Sequence, residues 1–94
     1  MTPPKNPRTE IHELAALLGR AAADGKTARL LPEIFTPAEL RDLALRLRLL
    51  RMLAGGVPQR KIAATLGISL CKITRGSRIL KDPASVVAHL LEKT

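Results

Sequence analysis

Apolar residues recur along this chain with a helical period, not an alternating one. Ile11, Leu14, Leu17 and Leu18 share one face of a helix that opens at Thr9 and runs out near Asp24-Gly25. A brief second helix is predicted from Thr27 to about Phe35, kept short by Pro32. The clearest helical signal is FTPAELRDLALRLRLLRMLAGG. Thr36 is its N-cap, Pro37 takes the first helical position, Glu39 completes a capping box, and Gly55-Gly56 ends it. PQRKIAATLG, ISLCKITRGSRILK and, after Asp82-Pro83, ASVVAHLLEKT supply three more helices; in the last, Val86, Val87, Leu90 and Leu91 form an amphipathic face. The fold class read from this pattern is all-α, with about six helices in one domain spanning residues 9–94. Residues 1–8 carry three prolines and no apolar period, and read as a disordered arm whose Lys5 and Arg8 can touch phosphates.

The long helix carries two apolar stripes. Leu40, Leu43, Ala44, Leu47 and Leu50 make one, and Leu45, Leu49, Met52 and Leu53 make the other. Two buried faces on one helix exceed what a chain of 94 residues readily covers. The expectation is a homodimer in which a partner's helix covers the second stripe; a central helix within a monomer is the competing reading.

Composition agrees with packed helices. There is no Trp or Tyr and a single Phe, Phe35, so the core is left to Leu, Ile, Val, Ala and Met. One cysteine, Cys71, excludes a disulfide framework and a zinc quartet and points to a reducing compartment. The first residues show no secretory h-region and no run is long enough for a membrane span, so a soluble, cytoplasmic protein is expected. His12 and His89 stand apart, with no nucleophile–base pair and no metal set, so no enzyme is predicted.

Charge sharpens the picture. The net charge is +8, and from Arg46 to Lys81 nine basic residues occur without one acid. A single-sign stretch of this length fits a polyanion partner, which the motif below makes double-stranded DNA. A basic surface that only confers solubility, or one that binds an acidic protein, is the alternative.

Within that stretch, residues 58–79 have the pattern of a helix-turn-helix. Ile62 and Leu66 bury the first helix, and the small Ala63 permits a close crossing. Gly67 supplies a residue able to take positive φ, Ile68 plugs the turn, Ser69 caps the second helix and Ile73 anchors it from below. A plain αα-hairpin is the competing reading. Recognition helices enter the major groove by their N-terminal end, which makes Leu70, Cys71 and Lys72, just after Ser69, the candidates nearest base edges. Gln59 and Arg60 reach phosphate or guanine, and Lys72, Ser77, Arg78 and Lys81 meet phosphates. Three residues past Ile73, where another apolar anchor belongs, stands Gly76, preceded by Arg75. The missing side chain predicts a vacancy, and the arginine beside it suits a small ligand bearing a carboxylate.

From about Thr36 to Lys81, FTPAEL, RLR, QRKIAATLG and above all KITRGSRILK make the chain resemble the bacterial Trp repressor family. The resemblance implies an all-helical, intertwined homodimer that binds a palindromic operator with L-tryptophan as co-repressor. By that resemblance the indole lies between arginines matching Arg46 and Arg75, and Arg75 also pairs with the carboxylate. A threonine from the other subunit, matching Thr36, helps place the ligand, and Gly76 lies close to it. The family's serine against the ligand's amino group corresponds here to Ile79. On the DNA side the resemblance adds Thr74 and Ser77 to Gln59, Arg60, Leu70 and Cys71. LAGGVPQR is one residue shorter than the family's pattern, and Pro58 replaces its usual cap. A ligand-independent relative of the same fold is the alternative function.

Overall fold

The computed structural model describes residues 7–92. Among them are six α-helices and no strand: α1 (Pro7–Ala23), α2 (Thr27–Ile34), α3 (Pro37–Ala54), α4 (Gln59–Leu66), α5 (Leu70–Lys81) and α6 (Val86–Glu92). The all-α expectation of about six helices therefore holds. Helix α1 begins two residues before the predicted Thr9, so Pro7 and Arg8 belong to a helix and not to the arm. Proline lacks an N–H that the first turn would leave unpaired anyway, which is why Pro7 is compatible with a helix start. Residues 1–6 of the predicted arm lie outside the described residues. Tertiary contacts divide the chain into two compact units, Met1–Leu40 and Arg41–Thr94.

In the first unit α1 packs on α2 through a tight turn. Gly25 takes φ +68°, its N–H donates to the Ala22 carbonyl at 3.1 Å, and the Lys26 N–H donates to the Ala21 carbonyl at 2.7 Å. This is a Schellman closure, and it needs a residue at ease with positive φ. Helix α2 tolerates Pro32 at its sixth position, but the helix ends after eight residues. At the start of α3 the predicted capping box is complete: the Thr36 N–H donates to Glu39 Oε1 at 2.8 Å and the Glu39 N–H donates to Thr36 Oγ1 at 3.1 Å. The Thr36 N–H, and after it the Thr36 side chain, hold the Glu39 carboxyl below its ordinary value.

The second unit holds the core. Ile62 of α4 and Ile73 of α5 are fully enclosed, and Leu49 of α3 is nearly so; Met52, Leu53, Val57, Ala63, Leu66 and Ile68 pack around them. The far end of α3 repeats the closure seen in the first unit, with Gly56 at φ +82° and the Val57 N–H donating to the Met52 carbonyl at 3.0 Å. After α5, the Asp82 carboxylate accepts from the Ala84 N–H at 2.9 Å and Ser85 Oγ accepts from the Ala88 N–H at 3.2 Å. Asp82 thus turns the chain at Pro83 and Ser85 caps α6.

The two stripes of α3 meet different fates. Leu49, Met52 and Leu53 are drawn into the core, whereas Leu43 and Leu47 are 41% and 43% exposed. The outer face of α6 is barer still, with Val86 72% and Leu90 56% exposed.

Candidate nucleic-acid interface and ligand cleft

The pair α4–α5 has the geometry its sequence predicts. Gly67 closes α4 in the left-handed region at φ +65°, its N–H donating to the Ala63 carbonyl at 2.9 Å. Ser69, extended at φ −72° and ψ 152°, accepts the Lys72 N–H on its side chain at 3.4 Å. Ile62 and Ile73, one from each helix, meet in the core and fix the crossing. The first turn of α5 is thereby left at the surface. Leu70, Cys71 and Lys72 are all exposed there, as are Gln59 and Arg60 at the head of α4. Leu70 is 54% exposed, an apolar group on a basic rim. Such a group suits contact with a thymine methyl in a groove.

Further along α5 the predicted contacts separate. Arg78 and Lys81 are exposed. The Thr74 hydroxyl donates to the Leu70 carbonyl at 2.9 Å, so its proton is committed and only its lone pairs face outward. Ser77 is half-buried and lines a hollow with Leu53, Leu80 and Ala88, on the side of α5 toward α6.

Gly76 is buried, and the expected vacancy is not at the glycine itself. A methyl built on it meets Leu53 Cδ1 at 3.1 Å and the Cδ2 atoms of Leu49 and Leu50 at 3.5 Å. The absent side chain brings α5 close against the leucines of α3. The open space lies beside that contact, as a cleft of about 340 Å³. Its α3 wall carries Asp42, Leu45, Arg46, Leu49 and Leu50; its α5 wall carries Lys72, Arg75, Gly76 and Ile79; Ile68 of the turn closes it. A volume of this order suits a small molecule. Arg46, Arg75, Gly76 and Ile79 thus line one cleft, together with aliphatic side chains. Thr36 lies in the first unit, where its side chain caps α3.

The sequence reading does not place Asp42, Leu45, Leu49, Leu50, Ile68 or Lys72 in the cleft. For Asp42, Leu45 and Leu49 a signal is available: they stand four, one and three residues from Arg46, on one stripe of α3. Among the described residues no cluster of His, Cys, Asp and Glu is fit to hold a metal, and no helix is long and apolar enough to cross a membrane.

Comparison with known proteins converges on one family. The family model described as Trp repressor protein matches residues 9–94. A Trp operon repressor homolog of Pasteurella multocida is 38% identical over 84 residues, covering 87% of this chain and 82% of the relative. One from Photobacterium profundum is 37% identical over 97 residues, covering 98% and 94%. One from Vibrio cholerae is 32% identical over 88 residues, covering 88% and 85%. No solved structure matches the chain.

Proposed function

The chain belongs to the Trp repressor family, and from that premise we propose how this transcriptional repressor, which is not an enzyme, couples a ligand to an operator. It acts as a homodimer in the bacterial cytoplasm. Each subunit presents the first turn of α5 to a major groove, and L-tryptophan seated in the α3–α5 cleft serves as co-repressor.

The observation that carries this reading is the double duty of α5. Its N-terminal turn is the exposed tip of the helix-turn-helix, while Lys72, Arg75, Gly76 and Ile79 of the same helix form a wall of the cleft. A ligand held against that wall bears directly on the helix that reads DNA. Arg46 and Arg75 offer guanidinium planes for stacking and a charge-assisted partner for a carboxylate. With the ligand in place, the two reading helices of a dimer are held at the separation of successive major grooves, ~34 Å. Ligand and operator then strengthen each other, by a factor of about 5 to 150. Gln59, Arg60, Lys72, Arg78 and Lys81 supply the phosphate contacts, so affinity for DNA falls steeply with salt.

The homodimer is supported by what the single chain leaves bare. Leu43, Leu47, Val86 and Leu90 are exposed although they sit at helical spacing on apolar faces. A second copy of the chain covers such faces at no cost in new sequence.

The test is gel shift with and without L-tryptophan, on the chain and on Arg75→Ala. The substitution is expected to abolish the response to tryptophan while lowering ligand-free binding less; equal losses in both conditions refute the assigned role. Calorimetry supplies the direct measure of ligand binding. A ligand-independent regulator is the second reading, favoured by Ile79, which gives the cleft an aliphatic wall where a polar contact would assist an amino acid. Operator binding indifferent to tryptophan would select it.

A further inference from the structure

The cleft contains a charge that DNA binding does not explain and that complements no helix dipole. Asp42 is the only acid between Arg41 and Lys81, and it lines the cleft with Arg46, Lys72 and Arg75. On a surface that must attract phosphate, a carboxylate is unfavourable. Asp42 is the sixth residue of α3, beyond the first turn where an acid complements the helix dipole, and Glu39 already occupies that turn. Among the described residues no hydrogen bond or ion pair occupies its carboxylate.

Its neighbours define what it can hold. Asp42 and Arg46 are one helical turn apart on the same face of α3, so a carboxylate and a guanidinium stand side by side along one wall. Leu45, Leu49 and Ile79 supply aliphatic surface in the same cleft. Apart from these charged groups the lining has no polar side chain. A simple organic acid would satisfy the cations and leave Asp42 facing its carboxylate. An α-amino acid with a large apolar side chain satisfies both signs and the aliphatic surface together.

We propose that Asp42 is the specificity-determining residue of this cleft: it binds the ligand's ammonium and so selects a zwitterionic amino acid over the corresponding desamino acid. This builds on the reading of the cleft as the tryptophan site. The alternative for Asp42 is a purely positioning role, holding Arg46, and the two differ in what they do to a ligand without an ammonium.

The experiment is calorimetric titration of the full chain and of Asp42→Asn with L-tryptophan and with indole-3-propionate, which shares the indole and carboxylate but lacks the amino group. The chain contains no Trp, so indole fluorescence reports the ligand alone and gives a second measure. The wild-type chain is expected to prefer L-tryptophan by at least about tenfold, the scale of one hydrogen bond to a charged group. In Asp42→Asn that preference falls to near unity, while indole-3-propionate binds as well as before or better. Because the ratio is taken within each protein, partial loss of folded material cancels from it. Equal weakening of both ligands by the substitution assigns Asp42 the positioning role and overturns the proposal, as does a wild-type chain that binds both ligands equally. If the wild-type chain binds indole-3-propionate but not L-tryptophan, the cleft takes aromatic acids and the selectivity is refuted. If it binds neither, the tryptophan reading itself fails.

Discussion

The α4–α5 pair and the α1–α2 pair are both short helical hairpins, yet they hold together by different means. In α4–α5 two isoleucines, one from each helix, are wholly enclosed within a single chain. In α1–α2 no described residue is buried; Leu14, Leu18, Leu30 and Leu31 reach only half-burial, and Ile11 is 61% exposed. The first pair holds a self-contained core. The second encloses none of its own apolar side chains. The comparison teaches that, in this protein, the helix pair proposed to read DNA closes its own core, and the α1–α2 pair does not.

The largest test breaks the second side of that comparison. Leu43→Glu with Leu47→Glu places two charges on the bare stripe of α3. A monomer would tolerate them, since both side chains are already exposed. In a dimer they would be buried unpaired, weakening association by about a hundredfold or more. Light scattering is expected to show a monomer that retains helical circular dichroism and no longer shifts a palindromic operator. An unchanged dimer would place its interface elsewhere.

The next test strikes the reading head. Ile73→Ala removes a fully buried side chain and is expected to cost ~2–5 kcal/mol of stability, the range for such a truncation. Thermal or urea unfolding measures it. Ile11→Ala, at a half-open site of α1, should cost far less in the monomeric double mutant and more in the dimer. Comparable losses at both sites in the monomer would erase the contrast.

A smaller effect is expected at the turn. Gly67→Ala forces a side chain into the left-handed region at φ +65°, at a cost of about 1 kcal/mol in unfolding. No atom stands within 4 Å of the added methyl, so backbone strain is the only cost.

The smallest concerns acid. The folded Glu39 carboxyl titrates below its ordinary value because the Thr36 N–H and hydroxyl bond to it. A depressed carboxylate pKa means that the capping box contributes at neutral pH and loses its contribution as pH falls through that lowered value. Unfolding curves below pH ~4 should therefore show a steeper loss for the native chain than for Glu39→Gln. Parallel curves would exclude a role for the cap in acid stability.

How far these features were legible follows from the range of the interaction that sets each one. The Thr36–Glu39 box, Gly67 and the Ser69 cap were readable because each is decided within four residues. The Ile62 and Ile73 anchors were readable because the helix-turn-helix is compact enough for spacing to imply contact. Gly76 reads in the sequence as a hole, because sequence shows a missing side chain but not the approach of Leu49, Leu50 and Leu53 that fills it. Asp42 is inconspicuous in the sequence for a related reason. It stands some thirty residues from the arginine and lysine of α5 with which it lines the cleft, and only the packing of two helices unites them. The start of α1 at Pro7 was missed because three prolines in a row of polar residues outweighed the weak helical signal behind them.

Cys71 carries a consequence of its own. It is the one thiol of the chain, exposed on the first turn of α5, the turn proposed to meet a base edge. A homodimer therefore carries a matched pair of attachment points, one on each reading helix, with no others to silence. Two spin labels or a donor and an acceptor placed there form a molecular ruler. The distance between them, read as tryptophan is added, reports directly whether the ligand sets the gap between the reading heads or merely narrows its spread.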